Sequence, residues 1–265
     1  MQRTALRRRC MLSVGRTDDQ RQLTDGPPQL STPDLHLRTL FILNDQGRIV
    51  STREPDANRG PLFSIVRSTT SCAWSVRADL PSDLAGELDR FAQEEPPALD
   101  LRDPPVHADR YLSLLGALVR AEDEPPIKAH HSDGPAFTFP GELPRTTDIV
   151  VIEDERLLGR NFRGWVAGEI AAGRSPLLAI VEDGCPVSIC FCARRSDTAA
   201  EAGLNTAEAF RGRGFGPRVT AAWAFAIRAK GLVPLYSTAW NNAASLSVAR
   251  KLGLVAYASN WSLSD

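Results

Sequence analysis

Three glycines at alternate positions lie directly ahead of a predicted helix, in the segment Arg211-Gly212-Arg213-Gly214-Phe215-Gly216. Without side chains, such a loop lets the main chain approach an anion closely. The unpaired N–H groups of the first helical turn and the positive end of the helix dipole favour a diphosphate group there. The same composition is also typical of a solvent-exposed connector, so the loop alone leaves both interpretations open.

The spacing of these glycines excludes two other phosphate sites. Dinucleotide-binding folds use Gly-x-Gly-x-x-Gly with an acidic residue about 20 positions later, and neither feature is present here. A nucleoside triphosphate P-loop requires Gly-Lys followed by Ser or Thr, which the chain lacks. An anion other than a dinucleotide or a nucleoside triphosphate is therefore favoured.

Regular elements are predicted on both sides of the loop. A strand over 201–207 precedes it, and a helix over 217–230 follows, with Pro217 at the first helical position and Gly231 as its stop. Upstream, the pattern predicts a strand at 149–152, a helix carrying Leu158 to Ile170 on one face, and a hairpin through Asp183-Gly184. Downstream, it predicts a strand at 235–239 and a helix that ends before Gly253.

The first half of the chain has a different pattern. Residues 38–50 predict a hairpin, residues 62–76 a β-rich stretch, and residues after Pro81 and over 107–120 two helices. Acidic, proline-rich connectors separate these elements. We therefore expect a flexible basic tail over 1–34, an α+β region of unknown role over 35–147, and a second domain over 148–265.

Composition sets further bounds on function. The chain has no apolar run long enough to span a membrane, and its formal net charge is −1. Its five cysteines lack the spacing of a zinc or redox site, which favours reduced thiols in the cytoplasm. His130-His131 has no second cluster of ligands, so no metal site is expected. Nucleic acid is not expected as a partner.

The order of the C-terminal motifs is more specific than the loop alone. The chain contains, in this order, a strand, the motif Arg-x-x-Gly-x-Gly (Arg211, Gly214, Gly216), an amphipathic helix, a strand and the segment Asn242…Lys251-Leu252-Gly253-Leu254. This order resembles the GNAT acetyltransferase family over about residues 148–265. The resemblance implies an α+β fold with a mixed, mostly antiparallel sheet flanked by helices. It also implies acetyl-CoA as the cofactor.

The resemblance assigns cofactor-binding residues position by position. The backbone of Leu204, Asn205 and Thr206 would pair with the pantetheine arm as an added strand does. The loop residues Arg211, Gly212, Arg213, Gly214, Phe215 and Gly216 would hold the pyrophosphate. Asn242 and Ser245 would meet the cofactor arm, although Asn242 is equally well explained as the cap of the helix that follows.

The catalytic residues are less clearly marked. Many family members carry a tyrosine where this chain has Ala249, and that tyrosine protonates the departing CoA thiolate. Tyr257 or Ser247 could replace it, although Tyr257 is also explained as a core residue with a satisfied hydroxyl. Glu201 lies where several members carry the carboxylate that accepts the proton of the amine, and simple surface exposure is its alternative.

The expected activity follows from this resemblance. We expect transfer of an acetyl or short acyl group from acetyl-CoA to a primary amine of a small molecule or peptide. The alternative is a CoA-binding module without turnover, in which Ala249 marks lost catalysis. Few residues follow Trp261, so either the N-terminal half or a partner subunit, such as a second copy in a homodimer, must close the sheet.

Overall fold

A computed structural model describes residues 31–56, 58–118 and 130–265 of the chain. The predicted tail lies outside these residues, apart from its last four positions. The described helices are α1 (Pro33–Leu40), α2 (Ser82–Gln93), α3 (Ala108–Leu118), α4 (Phe215–Ala229) and α5 (Ala243–Lys251). The described strands are β1 (Phe41–Leu43), β2 (Ile49–Thr52), β3 (Phe63–Arg67), β4 (Cys72–Val76), β5 (His130–Thr138), β6 (Val150–Val151), β7 (Leu178–Glu182), β8 (Cys185–Arg195), β9 (Ala199–Thr206), β10 (Val233–Ser237) and β11 (Val255–Ser264).

Nine of the described strands form one mixed sheet in the order β4-β3-β11-β5-β10-β9-β8-β7-β6, and β1 and β2 form a separate hairpin. The pair β9–β10 is parallel, whereas the other neighbouring pairs in the described residues are antiparallel. This arrangement confirms the predicted α+β class with a mixed, mostly antiparallel sheet flanked by helices. Among the described residues, no helix combines the length and apolar character needed to cross a membrane.

The predicted hairpins are present, and their turns explain why. Asp183 and Gly184, with φ angles of 49° and 75°, connect β7 to β8. Positive φ at both central positions is what a tight two-residue hairpin turn requires. The predicted hairpin over 38–50 is also formed by β1 and β2, but it begins at Phe41 because the residues before it complete α1.

Helix α1 begins inside the segment that the sequence analysis set aside as a tail. Thr32 caps it, since its hydroxyl accepts a hydrogen bond of 3.1 Å from the Leu35 N–H, and Pro33 follows at the helix start. Leu37 and Leu40 bury their side chains against the sheet. Helix α1 therefore covers part of one face of the sheet.

The predicted helix carrying Leu158 to Ile170 is wrong. The segment contains a short 3-10 turn at Glu155–Leu158 and one irregular turn at Ile170–Arg174. The Glu155 carboxylate folds it back on itself by accepting hydrogen bonds from the N–H groups of Gly168 and Ile170. Gly168 has a φ of 96°, a value that glycine adopts readily and that a helix excludes.

The sheet has two faces, named here by the helix that covers each. The α4 face carries Ala200, Ala202 and Tyr236, which pack with α4 in the largest apolar cluster. The α1 face carries Ala136 and Ala258, which pack against Leu37 and Leu40 of α1. Because side chains alternate along a strand, each strand contributes to both faces.

Strand β5 comes from the N-terminal half and lies between β10 and β11. It joins β10 to β11, so the N-terminal half completes the sheet. The division of the chain at residue 148 stays a prediction, and strands from both sides of that position share one sheet. A homodimer is not needed to complete the sheet.

Candidate active site

The glycine loop leads into an uncapped helix N-terminus. Gly212 and Gly214 have φ angles of 76° and 77°, and Gly214 occupies the N-cap of α4 without a side-chain cap bond. Among the described residues, none accepts a hydrogen bond from the backbone N–H groups of 212–216. Free donors at the positive end of a helix can bind an anion.

The start of α4 differs from the prediction. The helix begins at Phe215, so Pro217 is its third residue and not its first. Proline is tolerated there because the N–H groups of the first turn lack acceptors within the helix in any case. Pro217 therefore removes one donor, while the N–H groups of Phe215 and Gly216 remain.

The arginines near the loop are partly neutralised. Arg213 donates to both carboxylate oxygens of Glu182 at 2.9 and 2.6 Å, and Arg218 forms an ion pair with Asp148. The Arg211 Nε donates to the Thr206 carbonyl at 3.2 Å, which joins the loop to the end of β9. Since both ion pairs are solvent-exposed, each is weak and open to competition from a bound anion.

Strands β9 and β10 separate near this loop. Their parallel pairing covers Ala199 to Glu201 on β9 and ends at the pair Glu201 and Leu235. Beyond that point β9 pairs with β8 and β10 pairs with β5. One edge of Leu204, Asn205 and Thr206 is therefore free of strand pairing within the described residues, as an added extended ligand requires.

The side chains at the free edge have separate roles. Leu204 packs against the α4 core and lies 3.4 Å from the position that a Cβ on Gly216 would take. Asn205 is exposed, and the Thr206 hydroxyl is 2.8 Å from the Ser188 hydroxyl. The predicted contribution of these three residues through their backbone stays a prediction.

Helix α5 holds the other predicted cofactor contacts. The Asn242 side chain accepts a hydrogen bond of 3.1 Å from the Ser245 N–H, so Asn242 does cap this helix. Ser247 is partly buried and has no side-chain partner among the described residues. Ala249, at the position of the family tyrosine, is buried in the α4 core.

Tyr236, on β10, was missed by the sequence analysis. Its ring is buried on the α4 face, and its hydroxyl is 2.5 Å from the Ser245 hydroxyl of α5. Burial raises the pKa of Tyr236 to about 12, so the phenol keeps its proton at physiological pH. Strand alternation alone could have placed Tyr236 on the same face as α5.

Glu201 is buried, which excludes the surface alternative. Its side chain is 2% exposed, and Oε2 accepts a 2.5 Å hydrogen bond from Arg194 while Oε1 accepts one from the Ser237 hydroxyl. Burial acts to raise the pKa of Glu201, but the Arg194 charge and these hydrogen bonds hold it below its ordinary value. Glu201 is therefore an ionised carboxylate at neutral pH.

A β-bulge turns Arg194 toward Glu201. The register of β8 against β9 shifts between Cys192 and Arg194, so Ala193 is the extra residue. Cys192 faces α4, whereas Arg194 faces the opposite side and binds both Glu201 and Glu54. Without the bulge, strand alternation would place Arg194 on the same face as Cys192.

A second bulge places Tyr257 on the α1 face. The register of β11 against β5 shifts between Ala256 and Ala258, and Tyr257 is the residue between them. Its hydroxyl is 2.9 Å from His36 Nδ1, so the core interpretation with a satisfied hydroxyl fits the structure. Burial, and then the charge of Glu201, raise the pKa of Tyr257. Its catalytic role stays a prediction.

His36 is the hydrogen-bond partner of Tyr257 and is close enough to Glu201 for their charges to interact. Burial lowers the pKa of His36, which keeps the imidazole neutral although Glu201 acts in the opposite direction. Its Nε2 atom has no partner among the described residues. The described residues contain no group of His, Cys, Asp or Glu side chains that could hold a metal ion.

These features define an α+β protein in which two parallel strands separate beside a glycine loop with unpaired backbone donors. Residues 178–260 match the family model described as GNAT acetyltransferase. A comparison with curated proteins finds no match. The family-model match supports a GNAT domain in the C-terminal half of the chain.

Several solved structures are similar to the chain at low identity. A GCN5-related N-acetyltransferase from Kribbella flavida is 19% identical, covers 60% of this chain and 64% of its own, and has a TM-score of 0.43. A GCN5-related N-acetyltransferase-like protein from Streptococcus suis 89/1591 is 16% identical. The match covers 78% of this chain and 86% of that protein, with a TM-score of 0.43. A GCN5-related N-acetyltransferase from Sphaerobacter thermophilus is 13% identical. The match covers 84% of this chain and 78% of that protein, with a TM-score of 0.44.

Proposed function

We propose that the chain transfers an acetyl or short acyl group from acetyl-CoA to a primary amine. The observation that carries this proposal is the separation of β9 from β10 beside the uncapped start of α4. An extended arm fits the free edge of β9, and a diphosphate fits the donors of the loop. When bound, acetyl-CoA supplies the thioester whose C–S bond breaks as the amide C–N bond forms.

The α1 face supplies a route for the amine proton. Glu201 is ionised but has partners on both oxygens, so it does not contact an amine directly. Ser237 bridges this gap, because its hydroxyl donates to Glu201 and its side chain lines an open cavity. Ser237 can accept the proton of the attacking amine as it passes its own to Glu201.

The α4 face supplies a proton for the leaving sulfur. Tyr236 carries its proton at neutral pH, and its hydroxyl contacts Ser245 on the helix that the resemblance places beside the thiol end. Tyr257 lies on the other face and is engaged with His36. We therefore assign the general acid to Tyr236 in preference to Tyr257 or Ser247.

The test is release of free thiol from acetyl-CoA across a panel of primary amines. The proposal requires a rate that rises with amine concentration above the rate of hydrolysis. Thermal stabilisation by CoA without amine-dependent thiol release would instead support the CoA-binding module without turnover, for which the alanine at position 249 is the supporting observation.

Gly212 offers a matched pair of variants for the cofactor loop. A Cβ at this position meets nothing within 4 Å, and Asn and Asp both tolerate its positive φ. Gly212→Asp places a negative charge among the donors, and we expect the dissociation constant of CoA to rise about tenfold or more. Gly212→Asn is the control, and equal effects of both variants would contradict an anion site at the loop.

The compartment and the acceptor are parts of the same proposal. The described cysteines, Cys72, Cys185, Cys190 and Cys192, are free thiols, which supports a reducing cytoplasm. A small-molecule amine is favoured over a peptide because the cavity on the α1 face has the size of a small-molecule site.

A further inference from the structure

An open cavity of about 720 Å³ lies on the α1 face of the sheet. Its walls come from α1, residues 52, 54 and 58–61, and the strands β5, β8, β10 and β11. This volume lies within the range of small-molecule sites. Both halves of the chain line the cavity, so it extends beyond the region that matches the family model.

The cavity adjoins the proposed reaction centre. Ser237 and Arg194 line it, and both donate hydrogen bonds to the buried Glu201. Ser237 lies two residues beyond Leu235, where the pairing of β10 with β9 ends. A molecule in the cavity therefore has access to the separation between these strands from the side opposite α4.

The lining carries no excess of charge. Its carboxylates are Glu54 and Asp265, and its guanidinium groups are Arg59 and Arg194. Each is in an ion pair: Glu54 with Arg194, Asp265 with Arg77, and Arg59 with Asp79. A phosphate or a polycation therefore finds no unpaired partner charge in the lining and would have to displace one of these partners.

The lining is instead rich in neutral hydrogen-bonding groups. Seven of its sixteen residues carry a hydroxyl or a carboxamide side chain. Asn260 and Ser262 bond to each other and to Ser64, whereas the hydroxyls of Ser132 and Ser264 have no partner among the described residues. Such groups recognise hydroxyl groups of a ligand, since each can both donate and accept.

We propose that this cavity is the acceptor site and that it takes a small amine bearing several hydroxyl groups and no further charge, of the amino-sugar or amino-polyol class. The proposal rests on the acyl transfer proposed above. The hydroxyl and amide groups of the walls hold the body of this acceptor. Its amine lies at Ser237, with the Glu201 carboxylate behind it.

The first experiment compares matched acceptors. Glucosamine is the probe, glucosamine 6-phosphate adds only a phosphate, and spermidine is a polyamine without hydroxyl groups. We expect kcat/KM for glucosamine to exceed that for each of the others by about tenfold or more, because their extra charges have no partner in the cavity. A preference for either charged acceptor overturns the proposal and leaves acyl transfer intact.

The second experiment blocks the cavity. Ser132 is an exposed residue of β5 that lines it, and Ser132→Phe fills part of its volume. We expect KM for glucosamine to rise about tenfold or more, while the dissociation constant of CoA changes less than about twofold. His131→Phe is the control, because His131 is also exposed but points to the opposite face of the same strand.

Binding is measured separately from turnover. Calorimetry with glucosamine and the full chain, in the presence of CoA, reports the acceptor site even if no amine releases thiol. Binding that is lost in Ser132→Phe and kept in His131→Phe supports the proposal. Absence of both glucosamine binding and glucosamine turnover overturns it, whatever the result with other amines.

Discussion

The two faces of the sheet around the β9–β10 separation are built in different ways. On the α4 face, all parts of the proposed site come from residues 206–252, which follow one another along the chain. These parts are the glycine loop, α4, Tyr236 and α5. On the α1 face, Arg194 from the strand next to Glu201 pairs with Glu201 and also with Glu54 from the N-terminal half, and His36 from α1 lowers the pKa of Glu201 through its charge. One face is local in sequence, whereas the other depends on distant segments.

The faces also differ in their electrostatics. The α4 face offers neutral donors, namely backbone N–H groups at the helix start and a protonated phenol at Tyr236. The α1 face holds a buried carboxylate, Glu201, whose charge is balanced by Arg194. Neutral donors suit a ligand that brings its own negative charge, while a balanced ion pair suits proton transfer.

The largest expected effect is the loss of Arg194. Arg194→Met leaves the Glu201 carboxylate buried without its cation, and we expect the free energy of unfolding to fall by about 3–5 kcal/mol. Urea denaturation measures this change. The double variant Arg194→Met, Glu201→Met removes both charges and should recover most of the loss. A single variant as stable as the wild type would show that this ion pair does not organise the α1 face.

The same ion pair predicts the direction of acid sensitivity. Because the folded-state pKa of Glu201 lies below its ordinary value of 4.5, its charge stabilises the fold above that pH. This stabilisation is lost as the pH falls below 4.5 through the folded-state pKa. Unfolding free energies measured across this range should decline less steeply in the double variant than in the wild type.

Two tyrosine variants test which face of the sheet carries the general acid. Tyr236→Phe should lower kcat about a hundredfold, which is typical for the loss of a general acid. Tyr257→Phe should lower kcat less than about tenfold, because Tyr257 is engaged with His36 on the α1 face. Steady-state kinetics with saturating acetyl-CoA measures both. The reverse order would move the acid to the α1 face.

Gly134 links the N-terminal half to the α1 face. A Cβ at this position would lie 1.8 Å from the Thr238 carbonyl oxygen, so Gly134→Ala must displace the chain just beyond Ser237. We expect a loss of about 1–3 kcal/mol in stability. We also expect a lower kcat/KM for the acceptor and an unchanged dissociation constant for CoA.

The control for Gly134 is Gly141→Ala, at a position where a Cβ meets nothing within 4 Å. This variant should match the wild type in stability and in both kinetic readouts. If Gly134→Ala weakened CoA binding as strongly as acceptor turnover, the two faces would not be separable at this strand.

The smallest expected effect concerns Asn242. Asn242→Ala removes the cap of α5 and should cost about 1 kcal/mol of stability, which Asn242→Ser should largely restore. If Asn242 only caps the helix, the KM for acetyl-CoA should rise in Asn242→Ala together with the loss of stability. It should return toward the wild-type value in Asn242→Ser. A raised KM in both variants would instead show that the carboxamide contacts the cofactor.

Sequence patterns predicted the elements on the α4 face well and those on the α1 face poorly. The glycine loop, the hairpin at Asp183-Gly184 and the stop of α4 at Gly231 depend on backbone preferences of neighbouring residues. The helix predicted over 158–170 does not form, because the Glu155 carboxylate accepts hydrogen bonds from backbone N–H groups that are 13 and 15 residues away in the chain. Periodicity does not detect such a contact.

The sequence by itself determined the order of strand, glycine loop, helix, strand and helix, because turn and cap chemistry act over a few residues. That order was enough for the resemblance to the GNAT family and for the expectation of a cofactor site beside the glycine loop. Only the tertiary structure decided that Arg194 meets Glu201, since a one-residue bulge reverses which face a side chain occupies. It also decided that β5 completes the sheet and, with α1, lines the proposed acceptor cavity. The segments that pair in this way are far apart in the chain, and neither has a sequence pattern that identifies its partner.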